Sequence, residues 1–203
     1  MLVRPTVGVG AILALCLLAG CLKIQREYPE KNQFVLEVTR PPGERAAASN
    51  NILQVNEFQL AQPYQGKGFK YRKGDLNLES DFYNEFFAPP GQMIAEGVRK
   101  WLDGSGLFKL VVSRPGQILP THFLEGTVES IYGDYRSNPT KAVLEIEFVL
   151  TREDKGTAQI VFKKRYSEAQ PAGDQSAKDL VQAWNEGLQK IVQQFESDLK
   201  GKI

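Results

Sequence analysis

The chain has 203 residues, and its 25 basic and 24 acidic side chains nearly balance. The first 20 residues contain one basic residue, Arg4, and no acidic one, so the rest of the chain has no formal net charge. This balance excludes binding to nucleic acids through a basic surplus, and the length suits a single globular domain.

The N-terminus has the pattern of a secretory signal peptide. Residues 7–18 carry no charge, but the run is shorter than the ~20 apolar residues that span a bilayer. Residues 18–21 (LAGC) match the bacterial lipobox, in which a peptidase cuts before a cysteine whose sulfur carries diacylglycerol. We therefore predict a lipoprotein signal peptide at residues 1–20 and acylation of Cys21 with palmitate-type chains. The alternatives are an ordinary secretory peptide or a short buried helix in which Cys21 is only a small apolar residue.

Residues 21–32 follow as a predicted acylated tether, which is mostly polar and interrupted by Pro29. An extended tether of this length reaches roughly 30 Å. Leu22, in place of an aspartate after the cysteine, resembles the default for export to the outer membrane. We expect a protein that is lipid-anchored in the outer membrane and faces the periplasm, with the inner membrane as the alternative. Residues 33–203 are predicted to form a single domain.

The first half of this domain predicts short strands and a hairpin. Residues 33–40 alternate well enough for a first strand. Residues 52–60 predict a second strand, but their apolar phase slips, which indicates a bulge near residue 57. Residues 66–79 predict a hairpin that turns at residues 73–75.

The second half predicts a helix, several longer strands and a closing helix. The first helix covers residues 90–103, and strands are expected at residues 107–113, 122–135, 142–152 and 157–166. In the last of these strands, Ile160 and Phe162 are expected to share one buried face. The closing helix begins at a capping box, residues 176–179, and continues with one apolar stripe. The fold class is α+β: a mixed, mostly antiparallel sheet of about six strands with two main helices packed on it.

The titratable residues show no recognisable catalytic or metal-binding pattern. His122 is the only histidine, whereas a zinc site needs three or four ligands. No nucleophile motif accompanies His122, so a histidine at the start of a strand is favoured over a general base. Glu145 and Glu147 fit the solvent face of an alternating strand. We expect no enzymatic activity, no metal and no cofactor.

Two clusters are candidate binding surfaces. Four aromatic residues lie too close together to be buried on one strand face, and are candidates for contact with a partner or an acyl chain: Phe82, Tyr83, Phe86 and Phe87. Their alternative is a place in the core. Four basic residues could meet anionic lipid or an acidic partner, or belong to a solvated hairpin: Lys67, Lys70, Arg72 and Lys73.

Several segments together resemble a known lipoprotein family. They are the lipobox, FVL at 34–36, ILQVNEFQLAQPYQGKGFKYR at 52–72, DFYNEFFAPPGQMIAEGVRKWL at 81–102 and LEGTVESIYGD at 124–134. These segments resemble the ABC-type transport auxiliary lipoprotein component family, which includes PqiC-type lipoproteins. The chain departs from the family at Phe34, where tyrosine is common, and at Phe86 and Phe87, near which the family often has tryptophan.

The resemblance implies a non-enzymatic periplasmic lipoprotein that is an auxiliary component of an ABC transporter. Such a transporter, of the MCE type, moves lipids or other hydrophobic molecules between membranes. The implied partners are an MCE-domain protein, the permease and ATPase, and the membrane that holds acylated Cys21; a homo-oligomer is left open. The alternatives are an outer-membrane assembly or structural lipoprotein, a periplasmic lipid-binding shuttle, and a hydrolase that uses His122.

Overall fold

The computed structural model describes residues 30–43, 45–46, 49–114, 116–174 and 176–203. These residues include nine strands and two α-helices. The predicted signal peptide, Cys21 and tether residues 21–29 lie outside the described residues. The strands are β1 (Asn32–Phe34), β2 (Ile52–Val55), β3 (Gln59–Leu60), β4 (Gly68–Arg72), β5 (Leu78–Phe86), β6 (Leu110–Val112), β7 (His122–Asp134), β8 (Lys141–Asp154) and β9 (Thr157–Pro171). The helices are α1 (Pro90–Ser105) and α2 (Ala177–Leu199).

The three longest strands, β7, β8 and β9, form an antiparallel meander, as their short connections predict. On β8 the residues of one face, such as Ile146 and Phe148, are buried, while Glu147 lies on the other face. Lys155 and Gly156 form the turn to β9 with φ values of 51° and 80°. This left-handed conformation is the one that tight hairpin turns need to match the twist of their strands.

The rest of the sheet differs from the predicted one. Strands β2, β3 and β4 lie in succession along one side of β7 and parallel to it, while β8 occupies the other side. Among the described residues, the sheet has nine strands rather than about six, and five of its eight strand pairs are parallel. The prediction of a mostly antiparallel sheet was wrong because buried and exposed residues alternate in the same way in parallel and in antiparallel strands. Pairing direction depends instead on long connections, such as the one through α1.

The second predicted strand, residues 52–60, is divided into β2 and β3 where its apolar phase slips. Phe58 lies between the two strands and is buried. Its ring fills the space above Gly126 of β7, where an added Cβ atom would lie 2.6 Å from the ring. Of the first predicted strand, residues 33–40, only the part in β1 pairs with another strand. Beyond it, Glu37 donates its backbone N–H to Asn185 Oδ1 of α2 (3.0 Å).

Both predicted helices are confirmed. Helix α1 begins at Pro90 and ends at Ser105, and Gly106 follows with a φ of 76°, the left-handed conformation that ends many helices. Helix α2 begins at the predicted cap, where Ser176 Oγ accepts a hydrogen bond from the Asp179 backbone N–H (3.1 Å). The helix lies against β8 and β9 and buries its apolar stripe there: Val181, Trp184, Leu188, Ile191 and Phe195.

A buried carboxylate near the end of α2 joins three parts of the chain. Glu196 accepts hydrogen bonds from Arg40 Nε and Nη2, both at 3.0 Å, and from Trp101 Nε1 at 2.6 Å. Burial acts to raise the pKa of Glu196, but the bonds from Arg40 and Trp101 outweigh it and lower the pKa. The segment after β1, helix α1 and helix α2 are thereby held together by one side chain.

Candidate functional site

The four aromatic candidates divide into one core residue and three surface residues. Phe86 is 2% exposed, and its ring packs against Phe69 and Trp184 with centroids 4.5 and 5.5 Å apart. Phe82, Tyr83 and Phe87 are 58%, 53% and 63% exposed. The rings of Phe82 and Tyr83 meet edge to face at 5.4 Å. The structure therefore exposes three of the four predicted side chains and brings two of them, Phe82 and Tyr83, into contact.

The surface rings result from an irregularity in the hairpin of β4 and β5. Gly68 pairs with Glu85 and Lys70 pairs with Ser80, so residues 81–84 lie opposite the single residue Phe69. These residues cannot all pair with β4, so Asp81, Phe82 and Tyr83 bulge away from it. Asn84 keeps its place in the sheet by pairing with Asn32 of β1. We call residues 81–84 (DFYN) the aromatic bulge.

Asp81 holds the aromatic bulge in shape. Its carboxylate accepts hydrogen bonds from Tyr71 Oη (2.6 Å), the Tyr83 backbone N–H (2.7 Å), Asn84 Nδ2 (2.7 Å) and the Asn84 backbone N–H (3.1 Å). Burial acts to raise the pKa of Asp81, but the bond from Tyr71 and those from Asn84 and Tyr83 lower it. Burial, followed by the contact with Asp81, raises the pKa of Tyr71. These hydrogen bonds thus fix the backbone that carries the rings of Phe82 and Tyr83.

The described chain begins beside this bulge. Asn32 pairs with Asn84 in the sheet and donates from Nδ2 to its side-chain oxygen at 3.1 Å. The Lys31 ammonium lies 5.2 Å from the centre of the Phe82 ring and 3.0 Å from the Glu85 carboxylate. Hydrogen bonds from Gln33 and Lys31 lower the pKa of Glu85 to about 2. The point where the predicted tether meets the domain is therefore next to the exposed rings.

The predicted basic cluster has varied partners. Lys67 lies 3.5 Å from Glu85, and Lys73 lies 2.6 Å from Glu79. Lys70 donates to Ser80 at 3.1 Å, and the Arg72 guanidinium lies over the Tyr132 ring at 5.1 Å. Two of the four cations thus pair with acids on β5, and the cluster is not one concentrated patch.

A second exposed apolar surface was missed by sequence reasoning. Ile118, Leu119 and Ile160 are each more than half exposed, and we call them the distal patch. A cleft of about 490 Å³ borders the patch, with Phe123 and Leu119 among its lining residues. Ile160 pairs with Thr151, whereas Phe162 pairs with Leu150, so Val161 is an extra residue in β9. This bulge contradicts the expected common face of Ile160 and Phe162: Phe162 packs near Phe195, while Ile160 faces outward.

The two apolar surfaces are well separated. Tyr71 is level with Gly133 of β7, so Phe69 and the aromatic bulge are level with Ile131. The distal patch lies near Phe123, at the start of the same strand. The eight-residue step from Ile131 to Phe123 corresponds to roughly 25 Å along a strand.

His122 lies in the interior rather than in a cleft. It is 3% exposed, its Nδ1 is 2.9 Å from Thr121 Oγ1, and its ring packs edge to face against Phe108. Burial, with a smaller contribution from Arg152, lowers the pKa of His122. Within the described ranges, no group of three or more His, Cys, Asp or Glu side chains is placed to hold a metal ion.

The outward acids of β8 take part in ion pairs. Glu147 lies 3.2 Å from Lys163, and Glu145 lies 3.7 Å from Arg165, both on the neighbouring β9.

Of the helices described, none is long and apolar enough to cross a membrane.

Comparison with solved structures identifies the fold. The protein XCC0632 from Xanthomonas campestris, of family DUF330, matches with a TM-score of 0.70 and 15% identity, over 81% of this chain and 92% of that one. An uncharacterized protein matches with a TM-score of 0.62 and 17% identity, over 82% and 99%. The hypothetical protein CT253 from Chlamydia trachomatis matches with a TM-score of 0.51 and 6% identity, over 76% and 98%.

These likenesses show that the chain has the α+β fold of XCC0632, with two helices on a mixed sheet. No family model matches the sequence, and no curated protein shows a significant match.

Proposed function

We propose that the protein is a lipid-anchored periplasmic adaptor, an auxiliary component of an MCE-type ABC transporter that moves lipids or other hydrophobic molecules between membranes. The observation that carries the proposal is the separation of two exposed apolar surfaces, with the predicted tether entering beside one of them. The lipobox at residues 18–21 and the family resemblance over residues 34–134 support the same reading. The role involves no catalytic step.

In this proposal, acyl chains on Cys21 hold the domain at the periplasmic face of the outer membrane. Several buried acyl chains make such an anchor effectively permanent, since each methylene contributes ~0.8 kcal/mol. The distal patch, Ile118, Leu119 and Ile160, contacts the MCE-domain protein. Contiguous exposed apolar surface marks protein contact sites, and this patch adjoins the cleft that Leu119 and Phe123 line.

Site-specific photocrosslinking in cells tests the adaptor role. A benzophenone amino acid is placed at Leu119, at Ile160 or, as a matched control, at Leu76, which is an exposed leucine in the turn between β4 and β5. We expect crosslinks from positions 119 and 160 to the MCE-domain protein, identified by mass spectrometry, and none from position 76. Equal capture at all three positions, or none at 119 and 160, would refute the role of the distal patch.

A lipid-binding shuttle is the second candidate, because a cleft of about 480 Å³ lies between the segment after β1 and helix α1. Its lining includes the apolar side chains of Val35, Val38 and Met93. Glu37, Gln92 and Lys100 also line the cleft, so an acyl chain would contact its apolar side. A shuttle predicts phospholipid that copurifies with the full chain and is lost on Val38→Glu replacement, whereas an adaptor predicts no such lipid by mass spectrometry.

A further inference from the structure

We propose that the aromatic bulge rests on the lipid bilayer and fixes the orientation of the anchored domain. This inference rests on the proposed lipid anchor, and it assigns a membrane contact to Phe82, Tyr83 and Phe87. Each of the three rings is more than half exposed, and those of Phe82 and Tyr83 meet edge to face. Aromatic side chains are favoured at the boundary between lipid headgroups and acyl chains, where their rings are partly desolvated.

The length of chain outside the structure selects lipid as the occupant. The described residues begin at Glu30, nine residues after Cys21. Even fully extended, nine residues span at most roughly 30 Å, and an average flexible chain of that length spans roughly 17 Å. Because Asn32 pairs directly with Asn84, the surface that the anchor holds closest to the bilayer is the one that carries the bulge.

Hydrogen bonds fix the conformation of the aromatic bulge and of the residue Phe87 that follows β5. Asp81 accepts four hydrogen bonds from Tyr71, Tyr83 and Asn84. Phe87 is held from the other side, because its backbone N–H donates to the Phe34 carbonyl at 2.7 Å. Rings that are already ordered lose little conformational freedom when they enter a membrane interface.

Nearby lysines complement an anionic lipid surface. Lys31 and Lys67 approach Glu85, and Lys70 donates to Ser80, next to Asp81. These three lysines and two acids leave one net positive charge beside the rings. A juxtamembrane lysine is attracted by anionic headgroups, and salt screens this attraction. With the bulge against the bilayer, the distal patch lies farther along β7 and remains open to a periplasmic partner.

Depth-dependent fluorescence quenching tests the contact. The full chain carries Phe82→Cys or the matched control Leu119→Cys and is purified in its processed, acylated form, in which the introduced cysteine is the one free thiol. It is labelled with an NBD fluorophore and reconstituted into phosphatidylethanolamine and phosphatidylglycerol vesicles that contain spin-labelled lipid. We expect strong quenching and a blue shift at position 82, and neither at position 119. Equal quenching at the two positions, or none at position 82, would overturn the proposal.

A second arm separates this inference from the proposed anchor. Here Cys16→Ser and Cys21→Ser remove both native thiols, and an N-terminal histidine tag attaches the chain to nickel-chelating lipid. Quenching at position 82 in this arm supports the membrane contact even if Cys21 carries no lipid in cells, in which case only the proposed function fails. Absence of quenching at position 82 in this arm overturns the contact even if Cys21 is acylated.

Partitioning of the chain into vesicles measures how much the exposed rings contribute to membrane binding. The untagged chain with both cysteines replaced is mixed with the same vesicles, and Phe82→Ser with Tyr83→Ser is compared with Leu119→Ser. We expect about tenfold weaker partitioning for the double variant, because two exposed rings are lost, and unchanged partitioning for the control. Equal partitioning of all three chains would contradict the assignment. Thermal midpoints verify that each variant is folded.

Discussion

Two carboxylates organise the molecule in different ways. Glu196 is 6% exposed and receives bonds from Arg40 and Trp101, which lie far from it in sequence. Asp81 receives all of its bonds from within one hairpin, from Tyr71 and from its neighbours in the aromatic bulge. The first carboxylate joins separate elements, whereas the second one shapes a local protrusion.

Glu196 therefore stabilises the fold as a whole, whereas Asp81 shapes one surface feature. Removing a buried carboxylate takes away the acceptor that its partners share, and the whole domain is affected. A carboxylate that orders a surface bulge mainly affects the groups around it. Variants at the two positions should therefore differ both in the size of their effect and in its extent.

The largest effect is expected for Glu196→Ala. The substitution removes the acceptor of the Arg40 guanidinium and of Trp101 Nε1, so the free energy of unfolding should fall by about 3 kcal/mol. Urea denaturation provides the measurement. Glu186→Ala, at an exposed position of the same helix, is the control and should stay within about 0.5 kcal/mol of the parent. A small effect for both variants would mean that Glu196 does not hold the three elements together.

A smaller and more local effect is expected for Asp81→Ala. The loss of an acceptor for Tyr71 and the bulge should cost about 2 kcal/mol. Hydrogen exchange should become faster at the amides of Tyr83 and Asn84 but not in α2. Asp75→Ala, an exposed acid in the turn of the same hairpin, is the matched control. Unchanged exchange at both amides would contradict the ordering role of Asp81.

Helix capping should give an effect of about 1 kcal/mol. Ser176→Ala removes the acceptor for the Asp179 backbone N–H at the start of α2, which is worth about that amount. Ser176→Thr keeps both the acceptor and the hydroxyl that donates to the Asp179 carboxylate (2.6 Å), and it should restore most of the stability. Thermal denaturation monitored by circular dichroism compares the three chains. If the threonine variant is no better than the alanine variant, the cap is not the cause.

The remaining prediction concerns pH at the tether entry. Hydrogen bonds from Gln33 and Lys31 lower the pKa of Glu85 from 4.5 to about 2. Since the folded pKa is the lower one, Glu85 adds stability above pH 4.5, and this contribution disappears as the pH falls toward 2. Urea midpoints between neutral pH and pH 3 should fall less steeply for Glu85→Gln than for the parent chain. Parallel curves for the two chains would contradict this assignment.

The sequence predicts the elements that depend on periodicity. The stripe of α2, the Ser176 cap and the meander all follow from spacings of three to four residues or of two, and the structure contains them. The direction of β2 relative to β7 could not be predicted, because alternation is the same in parallel and antiparallel strands.

The candidate surfaces could be predicted only in part. Crowding of aromatic residues pointed to the region of residues 82–87, but only the register of β4 on β5 decides that Phe86 is buried while Phe87 is exposed. The distal patch depends on one extra residue, Val161, which turns Ile160 away from the core. Ala158, Ile160 and Phe162 alternate evenly in the sequence, so this bulge has no phase slip to reveal it, unlike the break within residues 52–60.

The most direct test of the account is metabolic labelling with radioactive palmitate. The full chain should incorporate label, and Cys21→Ser should abolish it, while Cys16→Ser should leave it unchanged because that residue belongs to the predicted signal peptide. Absence of label in the parent chain, or label that survives Cys21→Ser, would contradict a domain held at the membrane through Cys21.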